Sequence, residues 1–362
     1  MTQFNKTALA AAAGIAAMVG AGQQAAAQDL AGKTVEFVIP FSESGGSARW
    51  ANFYAPLLSE ALPGNPTVVV RYRPGGGSTT GANWFQEQTT NDGTLIFGTS
   101  GSTQFPYLLG DPLVRYEYQD WIPVLASGTG GVSYLPSSLE DKWDGTANQL
   151  TEEFFLYGSQ GATSLDLVPI LAYDLLGLTV DPVFGVEGRG DGRLMFERGE
   201  ANIDYQTSSA YIRSVQPMVD SGLAFPIFSW GSLDAEGNIV RDPTFPDMPS
   251  FKEVCEATEA CSTEGVEWDA FKAFFVAGFP AQKLVYLPGN APQEIVDMYN
   301  KAFNDIIARP DFAELAAAEL GVYPQLTGDA ARRAHEQATT ISPEAKQYVL
   351  DWLNERFQIS FN

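Results

Sequence analysis

The chain has 362 residues, 45% of them hydrophobic, which is enough for two domains of ordinary size, each with its own core. Its 44 acidic residues outnumber 21 basic ones, and the formal net charge of -23 argues against nucleic acid and anionic membrane surfaces as partners. No collagen, coiled-coil or solenoid period is visible.

Residues 1–28 read as an export signal. Lys6 gives a weakly positive start, an apolar run covers 8–21, and Ala25-Ala26-Ala27 offers a small-residue cleavage pattern, with the cut near Ala27. A membrane anchor and a lipoprotein signal are the alternatives. The run is short and weakly apolar for a span, and no Cys follows it. The mature chain is expected to have no stable membrane insertion.

Residues 34–41 form the first predicted strand. It stops at Pro40 and opens into Ser42-Glu43-Ser44-Gly45-Gly46. The following helix carries Trp50, Phe53, Tyr54, Leu57, Leu58 and Leu62 near helical spacing, with Pro56 expected to kink or split it. A second strand at 68–70 leads into Arg73-Pro74-Gly75-Gly76-Gly77-Ser78-Thr79. A third, at 94–97, ends in Gly98-Thr99-Ser100. Three strands ending in Gly/Ser/Thr loops gather those loops along one edge of a doubly wound sheet, where α/β proteins hold anions.

Residues 121–126 read as a strand leaving this unit, and a second unit repeats the grammar. A strand at 153–157 ends in Ser159-Gln160-Gly161-Ala162-Thr163-Ser164, before a helix over 165–176 that Thr163 or Ser164 caps. A short strand at 181–185 precedes a glycine-rich loop at 187–192. A strand at 201–206 precedes Thr207-Ser208-Ser209, and another covers 223–230. Residues 234–238 read as a surface hairpin or an insertion. The tail is helical over 292–309, 311–320, 329–338 and 343–357, and is expected to pack on the first unit.

Cys255 and Cys261 sit six apart in an exported chain, a spacing that suits a disulfide. Two thiols without a nearby His make a poor zinc site, so no metal and no cofactor are expected. The chain reads as a non-enzyme. Its only histidine, His335, falls in a polar helix and reads as solvated, and no Gly-x-Ser-x-Gly elbow exists. Gly32-Lys33-Thr34 lacks the partner glycine of a phosphate loop.

Several stretches together resemble the substrate-binding proteins of tripartite tricarboxylate transporters, the TctC or Bug type. They are Val38-Ile39-Pro40-Phe41 with Gly45-Gly46, Arg73-Pro74-Gly75-Gly76-Gly77, and Asn91-Asp92-Gly93-Thr94-Leu95 with Gly98-Thr99-Ser100. Later come Phe245-Pro246-Asp247-Met248-Pro249-Ser250-Phe251 and Pro288-Gly289-Asn290-Ala291-Pro292-Gln293-Glu294. The resemblance implies a periplasmic α/β clamshell, type II-like, with the ligand cleft between two lobes. The lobes are expected at 29–126 with 232–362, and at 127–231. It implies a small organic carboxylate as ligand and integral-membrane transporter subunits as partners. A periplasmic sensor presenting the same solute to a receptor is the alternative.

The resemblance also implies which loops hold the ligand. From the first lobe these are Ser42, Ser44, Gly45 and Gly46, then Gly76, Gly77, Ser78 and Thr79. From the second they are Ser159, Thr163, Ser164, Gln206 and Thr207. The residues themselves add Thr99 and Ser100 as hydroxyl donors. Arg49 reads as a bidentate carboxylate partner or a surface arginine. Arg189 and Arg193 read as charge supplied by the second lobe, and Tyr157 and Tyr205 as pocket walls or plain core. The family usually places an Asp soon after the first glycines; here Ala48 and Arg49 stand there, which favours an anionic or neutral head group over an ammonium.

Overall fold

The computed structural model describes residues 29–234 and 236–361, so the export-signal reading of 1–28 lies outside the described residues. No helix among the described residues is long and apolar enough to cross a membrane. Two sheet-containing lobes make up the fold.

In the first lobe, strand β1 (Thr34–Ile39) lies between β2 (Thr67–Tyr72) and β3 (Leu95–Gly98), parallel to both. Its side chains alternate, as a pleated strand requires. Val35, Phe37 and Ile39 pack under helix α1 (Gly46–Ala61), and Val38 packs with Ala82 and Phe85 of α2 (Thr79–Gln86) on the other face. Because β1 is central, the loops leaving β1 and β3 diverge and leave a crevice at the carboxyl edge. The sheet is not all parallel. Strands β4 (Ile122–Ser127), β12 (Lys283–Leu287) and β13 (Gln325–Leu326) complete the order β13-β4-β12-β3-β1-β2, with β12 antiparallel to both its neighbours. The chain returns from the second lobe to make β12, so that strand enters from the crevice edge.

The second lobe pairs β5 (Gly131–Pro136) with β8 (Asp204–Thr207) and β9 (Ala224–Ser229), all antiparallel. A parallel pair, β6 (Phe154–Ser159) with β7 (Thr179–Phe184), stands beside it. Helices α4 (Leu167–Leu175), α8 (Phe251–Ala257), α9 (Val266–Gly278) and α13 (Pro343–Phe357) share one core with these strands. Helix α3 (Gly101–Leu109) follows β3 yet sends Phe105, Leu108 and Leu109 into that same core. It ties the lobes together.

Four expectations change. The helix with Pro56 runs unbroken over Gly46–Ala61. Pro56 and Asn52, whose carbonyl loses its donor, are both exposed, so the freed carbonyl is open to solvent and the helix need not break. Residues 189–192 are not loop but the first turn of α5 (Arg189–Glu197), started by extended Gly188 with Asp191 in the first turn. Neither Thr163 nor Ser164 caps α4: Asp166 holds that position, without a side-chain cap bond. Helix α13, expected on the first lobe, buries Val349, Trp352 and Leu353 in the second lobe's core. The hairpin near 234–238 is present, as Ser232–Leu233 paired with Ile239–Val240. We propose that the two sheets mark the lobes at about the residues read from the sequence, with α8, α9 and α13 anchored on the second.

Cys255 and Cys261 form a disulfide that closes a six-residue loop at the end of α8. By the chain-entropy model a loop this short contributes about 2 kcal/mol. The Cys255→Ser/Cys261→Ser variant should lose about that much stability in urea titrations, and a reductant should leave its midpoint unchanged while lowering that of the parent.

Candidate functional site

The two lobes meet at the carboxyl ends of β1 and β3. A small cavity of about 20 Å³ lies between them, room for about one water. Ser42, Gly45, Gly46 and Ser100 line it from the first lobe, and Arg189 and Thr207 from the second. The structure brings these six of the expected residues together. Gln160, Leu165, Gly188 and Gln282 also line it and were not singled out.

Three helices point their N-termini at this spot. α1 starts at Gly46 and α5 at Arg189, both behind glycine caps with no side-chain cap bond. α3 starts behind Ser100, whose hydroxyl accepts from the Ser102 N–H at 3.2 Å. Free N–H groups and the positive dipole ends of the helices therefore converge on one point. The helix ends come close because glycines permit it. A side chain at Gly46 would run into Thr207 and Ser209, and one at Gly190 into Ser44.

Direct bonds hold the lobes shut. The Ser42 N–H donates to the Glu187 carbonyl at 3.2 Å, and Ser44 Oγ donates to Asp191 at 3.0 Å. Ser102 Oγ donates to Gln160 Oε1 at 3.3 Å and accepts from the Leu165 N–H at 3.0 Å. Arg49 reaches across to Ser214 Oγ at 2.7 Å. It faces an outer groove with Arg193, Phe53 and Glu319 rather than the cavity. Burial, then the nearby Arg193 and Arg213, lower its pKa.

Arg189 is placed at the cavity but engaged behind it. Its guanidinium pairs with Asp166 at 3.3 Å and contacts Asp204, and it also donates to the carbonyls of Gly158 and Tyr205. It lies 4.8 Å from the ring centres of both Tyr157 and Tyr205, which are fully buried walls of this cluster. Asp166 also accepts from Tyr157 Oη at 2.9 Å, Ser159 Oγ at 3.1 Å and the Gln160 N–H at 2.6 Å. Asp204 accepts from Tyr134 and from the Gln206 amide at 2.9 Å. Burial pushes Asp204 up to about 6 against the pull of Arg189.

The other expected residues do not line the cavity: Ser159 and Gln206 belong to this cluster, and the rest are engaged elsewhere. Ser159 bonds Asp166, and Gln206 bonds Asp204 and the Arg189 carbonyl. Ser164 Oγ donates to the Gly161 carbonyl at 2.7 Å, and Thr163 reaches Asp111 at 3.4 Å. Thr99 is bonded to Tyr118 at 3.1 Å, and Ser78 Oγ donates to Thr103 at 3.0 Å. Thr79 is buried in α2, while Gly76 and Gly77 shape the turn before it, with Gly77 facing Gln160 and Ser164. Ser44 belongs to the inter-lobe contact. His335 is not solvated as expected: it is buried on α12 (Gly328–Ala338), its Nδ1 is 2.8 Å from Tyr286 Oη, and burial lowers its pKa.

Several buried polar atoms here have no hydrogen-bond partner among the described residues: Gln160 Nε2, Arg189 Nε, Gln206 Oε1 and Thr207 Oγ1. Three of these four residues line the cavity. Such atoms are rare in folded proteins and mark a place where a partner belongs. Gln160 could have been found from its place in a strand-end loop; Gln282 carries no local signal.

Two variants test this geometry. Arg189→Met leaves Asp166 and Asp204 buried without their cation and should cost about 3–5 kcal/mol in urea unfolding. Gly46→Ala has no backbone penalty but meets Thr207, so it should hold the lobes apart. Small-angle scattering should show a larger radius of gyration, reversed in Gly46→Ala/Thr207→Ala.

No family model matches this chain, and no curated protein matches it. Solved structures do. It is similar to the periplasmic binding protein BugD, at 19% identity over 90% of this chain and 98% of that one, with a TM-score of 0.66. MatC from Rhodopseudomonas palustris with bound malate is 16% identical over 87% and 98%, TM-score 0.64. R. palustris Rpa4515 with adipate is 16% identical over 89% and 96%, TM-score 0.64. In its fold, the chain matches the two-lobed solute-binding proteins of the TctC/Bug type.

Proposed function

We propose that this chain is an extracytoplasmic solute-binding protein that captures a small organic carboxylate between its lobes and delivers it to tripartite tricarboxylate-type membrane subunits. The observation that carries the reading is the convergence of three helix N-termini and unpartnered polar atoms on one inter-lobe cavity. Positive helix ends facing one another repel, and an anion between them is favoured from every side. Structures of the same fold named for bound malate and adipate support this ligand class.

The mechanism is binding without covalent chemistry. In the open form a carboxylate meets the N–H groups at Gly45, Gly46 and Ser100, arranged before it arrives. Closure then brings up Gln160, Arg189 and Thr207 from the second lobe. Because the closed cavity is so small, the ligand displaces part of the direct lobe contact, chiefly that between Gly46 and Thr207. The closed lobe surfaces then form the face that membrane subunits would read.

A thermal-shift screen tests this. Di- and tricarboxylates, aromatic acids, amino acids and neutral sugars are compared at millimolar concentration. A ligand present at 100 times its Kd stabilises by about 2.7 kcal/mol, several degrees for a chain of this size. At least one carboxylate should raise the melting temperature by that much, with calorimetry giving one site. A response confined to sugars or free amino acids would overturn the reading, as would silence across all the acids.

A further inference from the structure

One cation, Arg189, lines this cleft and a second, Lys283, is next in sequence to the lining residue Gln282; the two differ in compensation. Arg189 faces two carboxylates, Asp166 and Asp204, and has no charge left over for a ligand. Lys283 has no such partner among the described residues. It is 2% exposed, and its Nζ donates to a neutral group, the Oε1 of Gln282, at 2.7 Å. A buried ammonium without an acid is expensive, so the position asks for an explanation.

The fold says where this lysine sits. It opens β12, which enters the first sheet from the crevice edge, antiparallel to β3 and β4. Its Cα pairs with Ser127 of β4, whose hydroxyl accepts from Trp50 Nε1 of α1 at 3.0 Å. By strand alternation Lys283 shares the face of Val285, the face α1 covers. Its neighbour Gln282, 1% exposed, lines the cavity.

The chemistry of the pair is directional. In its ammonium form Lys283 has three donors and no acceptor, so the Gln282 amide then turns Oε1 toward Nζ, as it does here. The free end of that amide is then Nε2, a donor backed by a positive charge. Such an arrangement suits a carboxylate.

We propose that Lys283 is a positioning residue for the ligand carboxylate: it orients and polarises Gln282 as a donor at the floor of the cleft, and the arriving anion draws a proton onto it. This deepens the carboxylate reading and rests on it. Burial alone pushes the pKa of free Lys283 down to about 7, with no charged group contributing. An anion one amide away raises it again, so the complex holds more proton than its parts. Affinity therefore falls as pH rises above about 7.

Other titratable groups around Lys283 leave that window clear. Tyr54 of α1, near Ser127, is raised well above its ordinary value by burial. Across the cavity, Arg189 is raised further by its carboxylates, and Asp204 titrates at about 6. β3 and β4 carry no ionisable residue in their strand spans.

Isothermal calorimetry with malate and adipate, between pH 7 and 9 in buffers of different ionisation enthalpy, tests the proposal. The parent protein should take up a proton on binding at pH 8, approaching one per site, and lose up to about tenfold in affinity per pH unit. Lys283→Met should fold at least as stably, bind about tenfold more weakly at pH 7, and show a flat profile with no proton uptake. Gln282→Glu, which pairs Lys283 in advance, should also abolish the uptake and weaken binding. Carboxylate binding with no proton uptake in the parent, or a pH slope that persists in Lys283→Met, would overturn this inference and leave the carboxylate reading standing. No heat with either acid, together with silence in the acid screen, would overturn both.

Discussion

The second half of the cleft depends on one buried charge cluster. Arg189 sits between the rings of Tyr157 and Tyr205 and between the carboxylates of Asp166 and Asp204. Each partner then fixes a group at the cavity or just behind it. Asp166 holds the Gln160 backbone and Ser159, and Asp204 holds Gln206. Gln206 in turn donates back to the Arg189 carbonyl, at the first turn of α5. Buried ion pairs seldom add net stability over an apolar core. What this one supplies is position: two strands, β6 and β8, and the starts of two helices, α4 and α5, are held to one arrangement.

Close approach is the second constraint, and glycine is its instrument. The lobes meet backbone to backbone at Gly45 and Gly190, and backbone to side chain at Gly46, against Thr207 and Ser209, and at Gly188, against Ser42. Gly192 lets α5 lie against the Gly158 carbonyl and the Arg189 guanidinium. These glycines lower helix propensity in α5, yet they let uncapped helix ends face one another with little between them. The cost in local stability is offset by the core under them, where α3 and α4 bury Phe105, Leu167 and Val168 with the aromatic residues of α9.

The sequence made the first lobe legible because its signals are local. Alternating Val35, Phe37 and Ile39, followed by a proline and a glycine pair, describe a strand and its loop without help from distant residues. The tail helices were equally plain from their apolar spacing and flanking prolines. Legibility failed where a distant contact decides. Three glycines in 188–192 look like loop, and only the approach of Ser44 and Gly158 explains why they lie at a helix start. Arg189 was identified as a cleft residue but its role was not, because nothing near it in the chain announces Asp166 or Tyr157. Arg49 looked equally promising and faces another groove. His335 follows the same rule: its polar neighbours suggest solvent, while the far side of its helix rests on Tyr286.

Charge placement also bears on how a ligand would lie. The whole chain is strongly acidic, but salt screens that field beyond roughly 8–10 Å, so groups within a few ångströms decide the cleft. On the second-lobe side the start of α5 adds one positive helix end, but the guanidinium behind it answers two carboxylates, so that wall carries less positive charge than the one opposite. On the first-lobe side stand the uncapped start of α1, the start of α3 and the Lys283–Gln282 pair, with no carboxylate among the residues that line the cavity there. The field therefore runs across the cleft, positive toward the first lobe. A ligand with one carboxylate would place it against Gly46, Ser100 and Gln282 and turn its neutral part toward Thr207 and Gln160. A second carboxylate would find fewer donors across the cavity. On the proposed reading, the wall that orders the second lobe would also give a bound carboxylate a direction, because its cation is already engaged by its own aspartates.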